Sequence, residues 1–415
     1  MRVRIHRGAH EIGGNCVEVE HEAQRIVLDV GRPLTADRGE IVPLPDIAGL
    51  TDGDSSMLGV LISHHHADHW GLIDQVRAGL PIFMGEATQA ILKAAAFWTW
   101  GLDVPVAGHL RHRETFEIGP FTVTAYLNDH SAFDAYSLLV EAGGKRLFYT
   151  GDIRGHGRKA GIFQELLRKP PTGVDVLLME GTNLQPGMPT KPTATETDVE
   201  AAMAERFRDT DGIALVVSSA QNIDRLVTIY RACLRADRDL VINPYTADIA
   251  RATGNDNIPR PSPEWDRVHV YMPRWQAVRI KQREAFERLD DINPYRLFEE
   301  HLAEDASRYV LLFSASDGPR LAQSGALNDA TCTWSLWTGY LEESSGQRLT
   351  AFLADHEIPL EEHHTSGHAS VADLRRLAEA IDPGRVVPIH TFGGTDYESI
   401  YPTIDVQPDG AWWEV

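Results

Sequence analysis

Ser63-His64-His65-His66-Ala67-Asp68-His69-Trp70-Gly71 is the stretch whose reading decides the fold of this chain. Directly upstream, Met57-Leu58-Gly59-Val60-Leu61-Ile62 is a continuous apolar run, the pattern of a strand buried on both faces. The run ends in His-x-His-x-Asp-His, so three imidazoles and a carboxylate leave one strand end within six residues. Hard-to-borderline divalent metals accept those donors. Four of them on one irregular loop can be divided between two adjacent ions. A histidine-rich patch on a solvated surface has the same composition, but the strand before this one and Gly71 after it give it a sheet-edge setting. His65 sits between ligand positions and is read as pointing away.

The same arrangement recurs outward from this point. The runs Asn15–Glu20 and Arg25–Val30 read as strands beside Gly13-Gly14 and Gly31. Phe121–Tyr126 leads to Asp129-His130, and Arg146–Thr150 to Gly151-Asp152. Val174–Met179 leads to Glu180, and Arg385–Ile389 to His390. Each alone is an ordinary turn residue. Together they place chemistry where rigid sheet meets accessible loop. His64, His66, Asp68, His69, His130, Asp152 and His390 make seven candidate ligands, enough for two cations roughly 3.5–4 Å apart, with Asp152 able to bridge them.

Between these segments the chain changes character. Pro189-Thr190-Lys191-Pro192-Thr193 reads as a linker, followed by a helical pattern over Glu196–Arg208, a strand over Ile213–Val217, a helix over Asn222–Ala236 and a strand over Leu240–Ile242. Tyr309–Phe313 adds another buried strand. Alternating helix and strand predicts a small parallel α/β domain. Because strand-end chemistry returns at His390, this domain is read as an insertion over 189–347, dividing a first domain into 1–188 and 348–415.

Composition narrows the function. Asp and Glu outnumber Lys and Arg by 60 to 39, a formal charge of −21. Phosphate contacts dominate non-specific duplex affinity, so the acidity argues against an avid, non-specific duplex binder but not against a narrow channel over a metal centre. Cys16, Cys233 and Cys332 are too scattered for a disulfide framework or a zinc ribbon. The polar N-terminus lacks the apolar core of a signal peptide. No uninterrupted run of 18 apolar residues suggests a membrane span. The expectation is a cytoplasmic protein that uses no membrane.

The His64–His69 signature resembles the metallo-β-lactamase superfamily. Three later motifs, in their order, resemble its β-CASP branch: Glu180 at a strand end, His368 in Thr365-Ser366-Gly367-His368-Ala369, and His390 after Val387-Pro388-Ile389. Ser218-Ser219-Ala220-Gln221-Asn222-Ile223-Asp224-Arg225 resembles a helix start in that branch's insert. The likeness runs over nearly the whole chain and is strongest to ribonuclease J-like proteins. It implies an αββα sandwich with an inserted β-CASP α/β domain. It further implies that His64, His66 and His130 hold one metal, Asp68, His69 and His390 a second, and Asp152 both. The metals would be zinc, with manganese the alternative, and a hydroxide between them the nucleophile. His368 would contact the scissile phosphate or protonate the leaving oxygen, Glu180 would support it, and Asp68 would take part in catalysis.

Ser366 and Gly367 would approach a phosphate through their backbone, and Arg154, with Arg158 and Lys159, would grip the nucleic-acid backbone. A helix cap and a solvated basic loop are the ordinary readings of those last two features. The implied activity is a nuclease, an exonuclease or an endonuclease, on single-stranded RNA ahead of DNA, in a chain that could form a homo-oligomer. The sequence departs from the group in its acidity and in running only 25 residues past His390, so that the C-terminal domain such proteins often carry is not expected in it. Two alternatives share the metals: hydrolysis of a small phosphodiester or lactone, and a non-catalytic β-CASP subunit.

Overall fold

The computed structural model describes residues 1–37, 39–99, 101–184, 194–392 and 400–415. The linker read at Pro189–Thr193 lies outside them. The chain divides into two compact units, the first from Met1–Lys93, Leu102–Thr193 and Gly367–Val415, the second from Ala94–Gly101 and Ala194–Ser366.

In the first unit the chain enters through β1 (Arg2–Arg7), β2 (Cys16–His21), β3 (Gln24–Leu28), β4 (Met57–Leu61), β5 (Ile82–Gly85) and β6 (Gly108–Leu110). It continues through β7 (Thr115–Ile118), β8 (Phe121–Leu127), β9 (Tyr136–Ala142), β10 (Lys145–Tyr149) and β11 (Val176–Glu180). The second unit holds β12 (Ala214–Val217), β13 (Asp239–Ile242), β14 (Val268–Tyr271), β15 (Arg296–Leu297), β16 (Tyr309–Leu312), β17 (Thr331–Trp334) and β18 (Leu360–Glu362). The first unit is completed by β19 (Arg385–Ile389) and β20 (Trp412–Glu414).

The first unit stacks two sheets, ordered β20-β1-β2-β3-β4-β5-β6 and β19-β11-β10-β9-β8-β7. Alternation along the strands builds the layer between them. Val3, Ile5, Val17, Val19, Ile26 and Leu28 meet Phe121, Val123, Leu138, Val140, Leu147, Tyr149 and Leu178, all buried. The opposite faces are covered too. Phe148, Leu177, Met179 and Val386 pack against Phe163 and Leu166 of the helix Ala160–Arg168 and Leu374, Leu377 and Ile381 of the helix Val371–Ile381. Val27, Val60, Ile62 and Met84 pack against Leu92 of the helix Glu86–Trp98. The result is an αββα sandwich. Burial on both faces explains why Leu147–Tyr149 of β10, Val176–Met179 of β11 and Val386–Ile389 of β19, like β4, read as apolar runs.

Strand direction decides where chemistry collects. β10, β11 and β19 are mutually parallel, with Tyr149 opposite Leu178 and Glu180 opposite Ile389. β8 and β10 are both antiparallel to β9, so β8 shares their direction. In the other sheet β3 and β4 are parallel with Leu28 opposite Leu61. Asp29 and Ser63 therefore leave one edge, and His130, Asp152, Glu180 and His390 another.

The second unit is a seven-stranded, fully parallel sheet ordered β15-β14-β13-β16-β12-β17-β18. Its first helix, Glu196–Arg208, begins as expected and is closed by a reciprocal capping box of Thr195 and Asp198. The expected boundary at 347 needs correction. It cuts the helix Ser344–Asp355, and β18 pairs in parallel with β17, so the chain stays in the second unit through Ser366. β18 has only three residues, two of them exposed glutamates, and so carries no apolar strand signature.

Candidate metal centre

The loop after β4 folds into one helical turn, Ala67–Trp70, clamped by backbone hydrogen bonds from Asn15 N to Asp68 O (3.1 Å), Val30 N to His69 O (2.8 Å) and Arg32 N to Ala67 O (3.0 Å). Gly31 makes this approach possible, because a Cβ there would fall 1.8 Å from Asp68 O. The turn directs Asp68 and His69 to one side and leaves His64 and His66 on the incoming loop.

Two groups of ligand atoms result. His64, His66, His130 and Asp152 form one, and Asp68, His69, Asp152 and His390 the other, each with its atoms within 4.8 Å of one another. In the first, the three ring centroids lie 4.8–4.9 Å apart in a near-equilateral triangle. His66 Nδ1 and His130 Nε2 approach to 3.1 Å. In the second, His390 Nε2 is 3.2 Å from Asp68 Oδ2. The two carboxylate oxygens of Asp152 are shared out. Oδ2 faces His64 and His130 Nε2 at 3.6 and 3.7 Å, and Oδ1 faces His69 and His390 Nε2 at 3.2 and 3.9 Å.

These atoms fit cations. His64 Nε2, His69 Nε2 and both Asp152 oxygens are buried without a hydrogen-bond partner. A buried polar atom left unmet costs about 1–3 kcal/mol, and a divalent ion in each group would satisfy two of these four atoms. Burial holds His64 and His130 well below the usual imidazole range and His66 down to about 4, so all three favour the neutral, metal-binding form. Burial would also depress His69, but the Asp152 and Asp29 carboxylates override it and push the imidazole well above its usual value. The second group thus already attracts positive charge. Burial would raise Asp68, yet its hydrogen bond with His390 and the charge of His69 hold it down at about 2.

Residues outside the ligand set orient it, and the sequence reading missed them. Asp29, left-handed at φ 59° at the end of β3, accepts from His69 Nδ1 (2.8 Å), from Ser63 N (2.7 Å) and Oγ (2.8 Å), and from Tyr149 Oη (2.7 Å). Ser63 Oγ also lies 3.0 Å from His64 Nδ1. One carboxylate therefore fixes a ring in each group, the arrangement that sets tautomer and ligand basicity. Thr182 Oγ1 lies 2.7 Å from His390 Nδ1 and 3.1 Å from His368 Nδ1. His130 Nδ1 donates to Gly367 O at 2.6 Å. A Cβ on Gly367 would come within 2.8 Å of Ser131 Oγ, so the glycine lets that carbonyl reach the ring.

His368 stands at the rim, its side chain 20% exposed, with Nδ1 3.7 Å from both Asp152 Oδ2 and Glu180 Oε2. Burial would lower its pKa, but the carboxylates of Asp152 and Glu180 raise it to about 9, leaving an imidazolium able to donate a proton. Fully buried Glu180 accepts from Thr182 N (2.9 Å) and from the N of Ala369 (3.1 Å), the residue after His368. His65 is buried and outside both ligand groups. Ser366 is the last residue of the second unit. Arg154 is fully buried, its Nε 3.6 Å from Asp129 Oδ1 beside His130, so its guanidinium faces the protein interior rather than a passing backbone.

Comparison with known proteins gives the architecture a lineage. The family model described as beta-lactamase superfamily domain matches residues 43–253. Ribonuclease J of Mycobacterium tuberculosis is 28% identical over 249 residues, covering 57% of this chain and 43% of that protein. Ribonuclease J of Sinorhizobium meliloti is 24% identical over 362 residues, covering 84% and 60%. The chain thus spans about half the length of these relatives. A protein of unknown function from Enterococcus faecalis V583 superposes with a TM-score of 0.78 over 99% of both chains at 19% identity, a likeness of fold alone. Among the described residues no helix is long and apolar enough to cross a membrane.

Proposed function

This chain belongs to the metallo-β-lactamase superfamily, and from that premise we propose that it is a metal-dependent nuclease of the β-CASP branch that hydrolyses phosphodiester bonds of single-stranded RNA. One observation carries the reading: the two oxygens of a single buried carboxylate, Asp152, face two separate imidazole sets. That is the geometry of a bridging ligand. His64, His66 and His130 would hold one divalent cation and Asp68, His69 and His390 another, zinc or manganese. Such a pair supplies Lewis acidity and water activation near neutral pH.

The chain's own residues do the remainder. Asp29 and Ser63 hold His69 and His64 in one tautomer, while Thr182 and Gly367 O do so for His390 and His130. When water attacks phosphorus, the bond to the leaving oxygen breaks and that oxygen needs a proton. His368, at the rim with Nδ1 3.7 Å from Glu180 Oε2, is placed to give it, general acid chemistry worth about 10²–10⁴-fold. Glu180 acts on the reaction through His368. Gly367 offers a backbone free of side-chain bulk next to it. Arg154 is better read as a brace for Asp129 and the His130 loop than as a phosphate grip.

The reading is tested by incubating purified protein, with zinc or manganese, with 5′-labelled single-stranded RNA and matched DNA, with His66→Ala as control. Cleavage of RNA by wild type alone supports it, and the product ladder separates exo- from endonucleolytic attack. No cleavage of either polymer by protein shown to carry metal would overturn it in favour of a small phosphodiester substrate, which the −21 charge of the chain suits.

A further inference from the structure

Residues 274–288 of the second unit stand out from the rest of an acidic chain. They carry five cationic side chains, Arg274, Arg279, Lys281, Arg283 and Arg288, against two carboxylates. Elsewhere in this unit arginines are mostly neutralised: Arg206 by Glu361, Arg231 and Arg235 by Glu200, Arg267 and Arg308 by Asp239, and Arg320 by Glu299. Among the described residues, Arg288 alone of these five has an ion-pair partner, Asp248. Among the described residues no carboxylate lies within ion-pair distance of the other four.

The same surface exposes aromatic rings. Trp275 is 38% and Phe286 54% exposed. The ring centroid of Trp275 is 6.3 Å from that of Trp98, which lies 4.7 Å from Phe97. The Arg283 and Arg288 guanidiniums sit 5.3 and 4.0 Å above Phe97. The helix Arg274–Gln282 turns Gln276 and Ile280 inward, so its outer face mixes Trp275 and Val278 with charge. A bilayer needs a broad apolar face, which this one is not. Unpaired cations interleaved with exposed rings match an unstructured polyanion whose bases have flat faces to stack.

We propose that this segment is a docking surface for single-stranded RNA, which rests on the nuclease reading and extends it to a second place where the substrate is held. Guanidiniums and Lys281 would take phosphates, and Trp275 and Phe286 would stack bases.

The test is fluorescence anisotropy of a labelled uridine oligomer of about 15 nucleotides, near the upper site size of such surfaces, with the full chain carrying His66→Ala to prevent cleavage. Adding Trp275→Ala, Lys281→Glu and Arg283→Glu should weaken binding at least about tenfold. It should also flatten the salt dependence by about 0.7 log units for each phosphate no longer neutralised, with the melting temperature unchanged. Arg208→Glu, an exposed cation outside the segment, should bind as the parent does. Unchanged RNA binding in the triple variant overturns the proposal. So does a variant that changes only sedimentation, which would make the surface a contact between copies, or only binding to anionic vesicles. Because binding is measured without turnover, a wild-type chain that cleaves RNA while the triple variant binds normally sinks this inference alone. A chain that cleaves nothing sinks the nuclease reading first.

Discussion

Two buried charged clusters, one in each unit, are satisfied in opposite ways. In the second, Arg225 and Glu196 are both fully buried, and nearly every donor is met. Arg225 Nε and Nη2 reach Glu196 at 3.2 and 3.0 Å, Nη1 reaches Ser335 O at 3.0 Å, and Thr228 Oγ1 donates to Glu196 at 2.7 Å. In the first, His64, His69 and Asp152 are as deeply buried, yet their inward-facing atoms have no hydrogen-bond partner. Desolvation costs both regions. The second recovers that cost within the protein, whereas in the first no described protein group does so and a cation would. A buried polar cluster is therefore diagnostic of function when its geometry is good and its valences are unmet.

The hardest blow to this contrast is Asp152→Ala. It should abolish turnover and remove both metal equivalents, measured by elemental analysis, while the metal-free melting temperature holds or rises, because an unmet buried carboxylate has gone. A melting temperature that falls steeply would mean Asp152 is structural. Arg225→Met should do the converse, costing about 3–5 kcal/mol in denaturant unfolding because Glu196 is left buried and alone. The double variant Arg225→Met/Glu196→Leu should recover much of that loss. Metal content should be unaffected in both.

His368→Ala refines the site's interior. The residue lies at the rim and contacts the ligand Asp152 rather than replacing it, so turnover should fall about 10²–10⁴-fold with both metals retained. Lost metal would reassign His368 to the ligand set, where its proximity to Glu180 and His390 would place it. Asp29→Asn keeps the shape but weakens the pull on His69 and Ser63. Metal affinity should drop about 10–100-fold, and an unchanged affinity would remove Asp29 from the orienting role.

Much of this is legible in the chain because each candidate ligand stands in the loop that follows a strand-like run, and parallel strands bring the ends within a sheet to one edge. Asp29 has the same local pattern, the end of a β-rich run before Val30-Gly31, but its role depends on Leu28 facing Leu61, a register that no single run states. Thr182 is hidden for a similar reason: a hydroxyl two residues past Glu180 shows no chemistry until His368 and His390 arrive from the far end of the chain. β1 reads in the sequence as a polar terminus. Its arginines hold the outer face while Val3 and Ile5, fully buried, sit between the sheets. Arg154 misleads in the other direction, since a basic residue after a ligand reads as solvent-facing until the fold turns it onto Asp129.

The smallest expected effect probes an exception to the contrast. Asp317, in the loop after β16, is buried in the second unit, and its side chain caps no helix. Burial raises its carboxyl to about 6; the Arg320 charge opposes this and the Glu299 charge adds to it. The sign comes from linkage. Below about pH 4 the group is protonated folded or unfolded and costs nothing. Between about 4 and 6 the folded chain keeps a proton that the unfolded chain releases, so stability falls as pH rises, and above 6 the whole penalty is present. Asp317→Asn removes it, so the variant should be more stable than wild type by about 1 kcal/mol at pH 7.5, with the two curves converging near pH 4 in denaturant titrations. A variant less stable at pH 7.5 would show that the carboxylate is met by Arg320 after all, and that the second unit leaves no buried charge unpaired at this loop.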